Sequence, residues 1–175
     1  MNLKDKKVLF ILANNFREEE LFEPRRISES YNIKTFIASK DKVCKGVLGK
    51  MINVDFLFNQ VNISDYDAII FVGGPGSIIY WNDKNVLDIA KESYLKGKLT
   101  CSICLATGTL ANSSIVKNHK VTGWLDTKDL VIKNSGIYTG NNIEVDGRII
   151  TALGPQYAKD FGEAIVKALS VNLTD

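Results

Sequence analysis

The chain has 175 residues, enough for one domain that buries roughly 70% of its unfolded surface. Apolar residues make up 45% and charged residues 24%, the balance of an ordinary globular protein. Lys and Arg number 22 against 20 Asp and Glu, so a net charge of +2 argues against a nucleic-acid footprint, and no run approaches the ~20 apolar residues of a membrane span.

From the N-terminus, Lys7 to Ala13 is a seven-residue apolar run that ends in Asn14-Asn15, too short and too polar behind for a signal peptide. It reads as a strand covered on both faces. Residues 18–30 read as a helix, with Leu21, Phe22 and Ile27 roughly sharing a face. Glu18, Glu19 and Glu20 crowd its first turn, and two of the three are expected to be solvated. Pro24 predicts a kink there or a helix that starts near it. A strand over 32–39 follows, then a short hairpin or edge strand somewhere in 41–60, punctuated by Gly46 and Gly49.

Residues 65–72 read as a strand that runs into Gly73-Gly74-Pro75-Gly76, a tight loop in which backbone can approach a bound group. The loop fits no phosphate-binding pattern. An amphipathic helix over 85–95, with Val86, Ile89, Ala90 and Tyr94 on one side, closes at Gly97. The chain then enters a short buried strand from Lys98 that stops at Cys104 and becomes a helix to about Ala111 with no linker. A short strand over 121–124, a short helix over 127–133, an Asp146-Gly147 hairpin over 142–151 and a helix opened by Gly154-Pro155 complete the chain. Phe161, Ala164, Ile165, Ala168 and Leu169 form the buried stripe of that last helix.

Strands alternating with helices predict an α/β fold: a flavodoxin-like, doubly wound, mostly parallel sheet sandwiched by helices, with a small β-hairpin, forming a single domain over 1–175. Sites in such sheets lie at the carboxyl ends of the strands. Three candidates converge there: Glu18 to Glu20 after the first strand, Gly73-Gly74 after the third, and Cys104 after its own.

Cys104 turns the chain from strand to helix between the small residues Ser102 and Ala106, which predicts a thiol at a helix N-terminus with its pKa lowered. Free cysteine is also a common small core hydrophobe, and at this point both readings stand. Three cysteines at 44, 101 and 104 make no disulfide framework and suit a reducing cytoplasm, with Cys101 expected to be buried and inert. With His119 as the single histidine, in a polar stretch where such a residue is usually solvated, a multi-histidine zinc site is ruled out. No metal and no cofactor are expected.

These residues resemble the ThiJ/PfpI family, the DJ-one superfamily of class I glutamine amidotransferase-like proteins. The resemblance rests on Glu20 to Pro24, Val72 to Gly76, Ser102-Ile103-Cys104, Lys120 to Gly123, Thr151 to Pro155 and Asp160-Phe161-Gly162, in that order. It implies a reactive elbow cysteine at Cys104, a glutamate partner at Glu20, an oxyanion pocket from the N–H groups of Gly74 and Leu105 beside Gly73, and a homodimer. Trp124 and Leu105 stand where members of the family carry histidine, so a Cys–His acyl-transfer mechanism is not expected. Trp124 is read either as a wall of the pocket or as a core aromatic. The implied function is a cytoplasmic thiol enzyme acting on small reactive carbonyls, a glyoxalase or deglycase, with a small-molecule electrophile as its ligand. The alternatives are a redox sensor or chaperone-like protein oxidised at Cys104, and a peptidase or amidase.

Overall fold

The computed structural model describes residues 3–171. The chain begins with β1 (Lys7–Ile11), α1 (Glu18–Ser30) and β2 (Lys34–Ser39). β3 (Val43–Lys45) and β4 (Met51–Asn53) pair as an antiparallel hairpin, and β5 (Phe56–Leu57) follows at the sheet edge. Next come β6 (Ala68–Phe71), α2 (Lys84–Leu95), β7 (Leu99–Ile103) and α3 (Thr107–Asn112). β8 (Lys120–Val121), α4 (Lys128–Lys133), β9 (Ile137–Tyr138), β10 (Ile143–Asp146), β11 (Ile149–Ala152) and α5 (Ala158–Ser170) close the described chain.

The central sheet has seven strands in the order β10-β11-β7-β6-β1-β2-β5, parallel throughout except for the β10–β11 hairpin. Its core β2-β1-β6-β7-β11 is the doubly wound flavodoxin-like order. Both faces are covered, which is why β1 carries apolar residues without alternation. Val8, Phe10 and Leu12 face the layer that holds α1 and α5, while Leu9, Ile11 and Ala13 face the layer of α2 and α3. Each of the larger of these buried side chains contributes about 1.5–3 kcal/mol over its exposed state.

Register decides where the loops emerge. Ile11 lies opposite Phe71 and Phe71 opposite Ser102, so β1, β6 and β7 end in one row. The residues that follow these three strands therefore share one edge of the sheet, at the reversal of strand order beside β1.

Several elements differ from the sequence reading. Pro24 neither starts nor precedes α1; it lies inside the helix, where its missing N–H leaves the Glu20 carbonyl without the usual i−4 donor. Its ring packs on α5 instead, where a Cβ at Gly162 would sit 2.8 Å from the Pro24 Cα. The third strand is shorter than 65–72, because residues 63–65 form a 3-10 turn and Asp67 accepts hydrogen bonds from the Lys7 N–H (2.8 Å) and Lys6 Nζ (2.9 Å). Region 41–60 contains both a hairpin and an edge strand. The expected strand over 121–124 is reduced to β8, which pairs only with β9, while Trp124 leaves the strand to open a 3-10 turn.

The close approach of α1 and α5 gives a direct test. Gly162→Val forces a branched side chain against the Pro24 backbone, and urea unfolding should show a loss of about 1–3 kcal/mol. An unchanged midpoint would mean that the helices are not packed this tightly.

Candidate active site

Cys104 sits directly after β7, in a single 3-10 turn (Cys104–Ala106) that feeds α3 without a break. Its φ of 61° lies in the left-handed region, uncommon for a residue with a Cβ. Such a conformation persists only where the surroundings over-determine it. Here the Cys104 carbonyl accepts the Trp124 backbone N–H (3.2 Å), and the Leu105 carbonyl accepts the Trp81 indole N–H (2.7 Å). Behind the turn, the Ser102 and Thr107 hydroxyls are hydrogen-bonded (2.8 Å), and Thr107 donates to the Thr122 carbonyl (3.0 Å). The small residue at 102 thus ties the end of β7 to the start of α3.

The loop after β6 is stitched to the loop after β1. The Arg17 N–H donates to the Gly73 carbonyl (3.1 Å) and the Gly76 N–H to the Asn15 carbonyl (3.1 Å). Gly74 has φ 101° and lies against the Asn15–Arg17 backbone, so no side chain fits there. Gly73 is excluded from bearing a side chain for a different reason. A Cβ there would run into Glu20 Oε2, would sit 2.6 Å from the Ile103 carbonyl oxygen, and would lie 3.0 Å from the Cys104 Cβ. Glu20 from the first turn of α1, Gly73 from the loop after β6 and Cys104 from the turn after β7 thus meet at one point.

Glu20 is fully buried. Neither of its carboxyl oxygens has a hydrogen bond of ordinary geometry among the described residues, although it faces the Cys104 thiol and the Gly73 N–H. Burial pushes its pKa up to about 8, against the smaller pull of those two partners and of Arg17. Glu20 therefore holds a proton near neutral pH.

The expected lowering of the Cys104 pKa is not what this environment produces. Burial comes first and pushes the thiol up, and an ionised Glu20 adds to it through its charge and its hydrogen bond. The Leu105 and Gly74 N–H groups work in the other direction. The contributions of Glu20 belong to its charged form. Once Glu20 is protonated they vanish, and its O–H becomes a donor toward sulfur. The two groups titrate as a pair: the Leu105 and Gly74 N–H groups favour the thiolate, while the Gly73 N–H favours the Glu20 carboxylate.

The other candidates fall into place around this pair. Trp124 is not a core aromatic: it is 42% exposed, with its ring edge over Gly154 and its backbone bonded to Cys104. Glu18 departs from the expected solvated helix start. It is buried, and its Oε1 accepts the Leu48 N–H (2.8 Å) and Lys50 N–H (3.3 Å), anchoring the β3–β4 loop. Glu19 does face outward, in a two-pronged pair with Arg17 (2.8 and 3.0 Å). His119 is neither solvated nor near the thiol. Its ring lies between the Tyr94 hydroxyl (2.9 Å) and Asp146 (3.3 Å). It shares a surface cavity with Gly97 and Gly147, which precede β7 and β11, so it lies at the opposite end of the sheet from Cys104. Cys44 and Cys101 are fully buried, and burial raises both thiols. Cys104, at 6% exposure, is the one cysteine with a path to solvent, and a narrow one. Among the described residues no cluster of three metal-ligating side chains occurs.

Trp81 is a site neighbour that the sequence reading does not single out, and the anchoring contacts of Glu18, named there only together with Glu19 and Glu20, are not foreseen by it. A tryptophan seven residues beyond the Gly-Gly turn carries no pattern that marks it, and Glu18 is indistinguishable from an ordinary acidic helix start.

Residues 6–168 match the DJ-1/PfpI family. An uncharacterized protein of Methanocaldococcus jannaschii is 40% identical over 98% of this chain and 86% of its own length. A Pyrococcus furiosus protein named deglycase PfpI is 28% identical over 85% of this chain and 90% of its own. The crystal structure of a ThiJ/PfpI domain protein from Brachyspira murdochii superposes with a TM-score of 0.91 at 34% identity, covering 94% of this chain and 96% of that one.

The burial of Glu20 makes stability depend on pH in a defined sense. In the unfolded chain a glutamate loses its proton near pH 4.3, whereas in the folded protein Glu20 keeps it to about 8. The folded state binds the extra proton between these values, so stability falls as pH rises through that window. Glu20→Gln, which mimics the neutral carboxyl, should melt progressively higher than wild type from pH 5 to 8, with no further gain above. A constant difference across that range would show that Glu20 is ionised in the fold.

Proposed function

The chain belongs to the DJ-1/PfpI family, and on that footing we propose that it is a cofactor-independent cysteine enzyme acting on small reactive carbonyls, as a deglycase or glyoxalase. The observation that carries this reading is the meeting of Cys104 with a buried, proton-holding Glu20 beneath two backbone N–H donors. The relative from Pyrococcus furiosus named a deglycase supports the same class of substrate.

The geometry fits addition to an aldehyde. The Cys104 thiolate attacks the carbonyl carbon, the π electron pair moves to oxygen, and the Glu20 proton passes to that oxygen to give a hemithioacetal. During the addition the negative charge passes from sulfur to the neighbouring oxygen, where the Gly74 and Leu105 N–H groups that favour the thiolate are close enough to hold it, and the proton transfer then leaves it on Glu20. Glu20 is then an ionised base positioned at the adduct. With a 2-oxoaldehyde it can take the proton from the former aldehyde carbon and return it to the neighbouring carbon, while the hemithioacetal hydroxyl proton passes to the ketone oxygen. The product is a 2-hydroxy thioester, which water hydrolyses to the 2-hydroxy acid, releasing Cys104. No histidine is required, in keeping with the place of His119 at the other end of the sheet. Trp124 stands beside the entrance and shields the adduct from water. The 6% exposure of Cys104 favours a small electrophile over a polypeptide, which counts against the peptidase reading.

A second reading, a redox sensor, is favoured by the contrast among the thiols: Cys104 alone has solvent access, so peroxide would oxidise it selectively. We also include a homodimer in the proposal. Val43, Val47, Leu48 and Met51 stand exposed on the β3–β4 hairpin, an apolar surface that a second copy would cover.

Methylglyoxal consumption separates the two readings. Cys104→Ser should abolish it and Glu20→Gln should reduce kcat about a hundredfold or more. Absence of turnover in the wild type, with a two-oxygen mass gain confined to Cys104 under graded peroxide, would replace the enzyme with the sensor.

A further inference from the structure

The segment from Gly74 to Trp81 touches the elbow at both of its ends. At its start, the Gly74 N–H is directed at the Cys104 sulfur. At its end, the Trp81 indole N–H donates to the Leu105 carbonyl at 2.7 Å. The intervening residues form one 3-10 stretch, Pro75–Tyr80, fastened where the Ser77 hydroxyl donates to the Gly74 carbonyl (2.8 Å) and the Trp81 N–H to the Ile78 carbonyl (3.1 Å). The indole is not a loose cap. It lies so close to Gly108 in α3 that a Cβ there would come within 2.8 Å of its Cδ1 and nearer still to its Cε2 and Nε1. On the far side, the Asn112 side chain donates to the Trp81 carbonyl (2.8 Å). Trp81 is thus wedged between the loop and α3 with its one polar atom aimed at the turn.

The elbow needs such support. Cys104 is held at φ 61°, and its side chain faces a buried carboxyl. A left-handed cysteine relaxes toward ordinary backbone unless its neighbours are pinned, and any relaxation swings the Leu105 N–H away from sulfur. Besides the Thr107 N–H within the turn, the carbonyls of its first two residues are held from outside by the two tryptophans of the chain, Cys104 by the Trp124 backbone and Leu105 by the Trp81 side chain. The contribution of Trp124 is main-chain and survives any substitution there. The polar contribution of Trp81 to the turn comes from its indole N–H.

We propose that Trp81 is a positioning residue for the Cys104 anion: its indole N–H fixes Leu105 so that the backbone donors at residues 74 and 105 converge on the sulfur. Trp81 itself does not touch the reacting atoms. The proposal rests on the reading of Cys104 as the reactive thiol, and it deepens that reading by naming what holds the anion pocket in shape.

The test follows alkylation of Cys104 by iodoacetamide, read by intact mass across pH, in wild type and Trp81→Phe. Phenylalanine keeps an aromatic ring and removes the donor. The expected result is a rate at pH 7 about five- to tenfold slower than wild type, with the midpoint of the rate–pH profile moved to higher pH. A purely packing role would lower the melting temperature and leave the profile in place, and that outcome in a folded variant overturns the proposal. Should Trp81→Phe fail to fold, benzothienylalanine at position 81 keeps the bicyclic shape and substitutes sulfur for the N–H. The same shift is expected, and its absence overturns the proposal equally. Because alkylation is independent of carbonyl turnover, a protein that alkylates rapidly but consumes no methylglyoxal defeats the enzyme reading and leaves the Trp81 assignment standing. A wild-type Cys104 that does not alkylate at all defeats both.

Discussion

A carboxyl group fully buried in the protein is the constraint around which this end of the molecule is built. Glu20 is fully buried, and its oxygens lack ordinary hydrogen bonds among the described residues. Leaving a charge in that state is expensive, so the group keeps its proton to about pH 8. The retained proton gives the neighbouring sulfur a donor. Much else at this edge serves to let the two groups meet: the absence of a side chain at Gly73, the left-handed Cys104, and the loop stitching between residues 15–17 and 73–76.

The same arrangement explains why position alone does not acidify the thiol. Cys104 is deeply placed, and burial works against its anion as it works against that of Glu20. What remains in the thiolate's favour are two backbone N–H groups and the Glu20 proton. They act only if the turn is rigid, which is why the carbonyls of Cys104 and Leu105 are held from outside by Trp124 and Trp81. Reactivity here is a property of a pair and its frame rather than of a single low-pKa cysteine. That view fits the proposed carbonyl chemistry, in which the Gly74 and Leu105 donors hold the charge on sulfur and then on oxygen until a proton from Glu20 neutralises it.

Much of the frame was legible in the chain. Runs such as Lys7 to Ala13 announce a strand with two covered faces, and glycine after strand and helix marks the loops, so the doubly wound order could be expected. The convergence of residues 20, 73 and 104 followed from the rule that loops at the carboxyl ends of parallel strands share an edge. What escaped was set by contacts between distant segments. Glu18 reads as a solvated helix start because nothing local reveals that the Leu48 and Lys50 N–H groups come to meet it. Pro24 reads as a kink or a helix start because its packing partner, Gly162, lies far along the chain. Trp124 leaves its expected strand because β8 is two residues long and pairs only with β9. The rise of the Cys104 pKa depends on burial, which local motif spacing does not report.

The central claim concerns where one proton resides, and infrared difference spectroscopy observes it directly. Wild type minus Glu20→Gln at pH 7 should contain the C=O stretch of a protonated carboxylic acid, and this band should give way to a carboxylate band as pH passes about 8. A difference spectrum at pH 7 that contains only the carboxylate bands would show Glu20 to be ionised in the folded protein and would contradict the account.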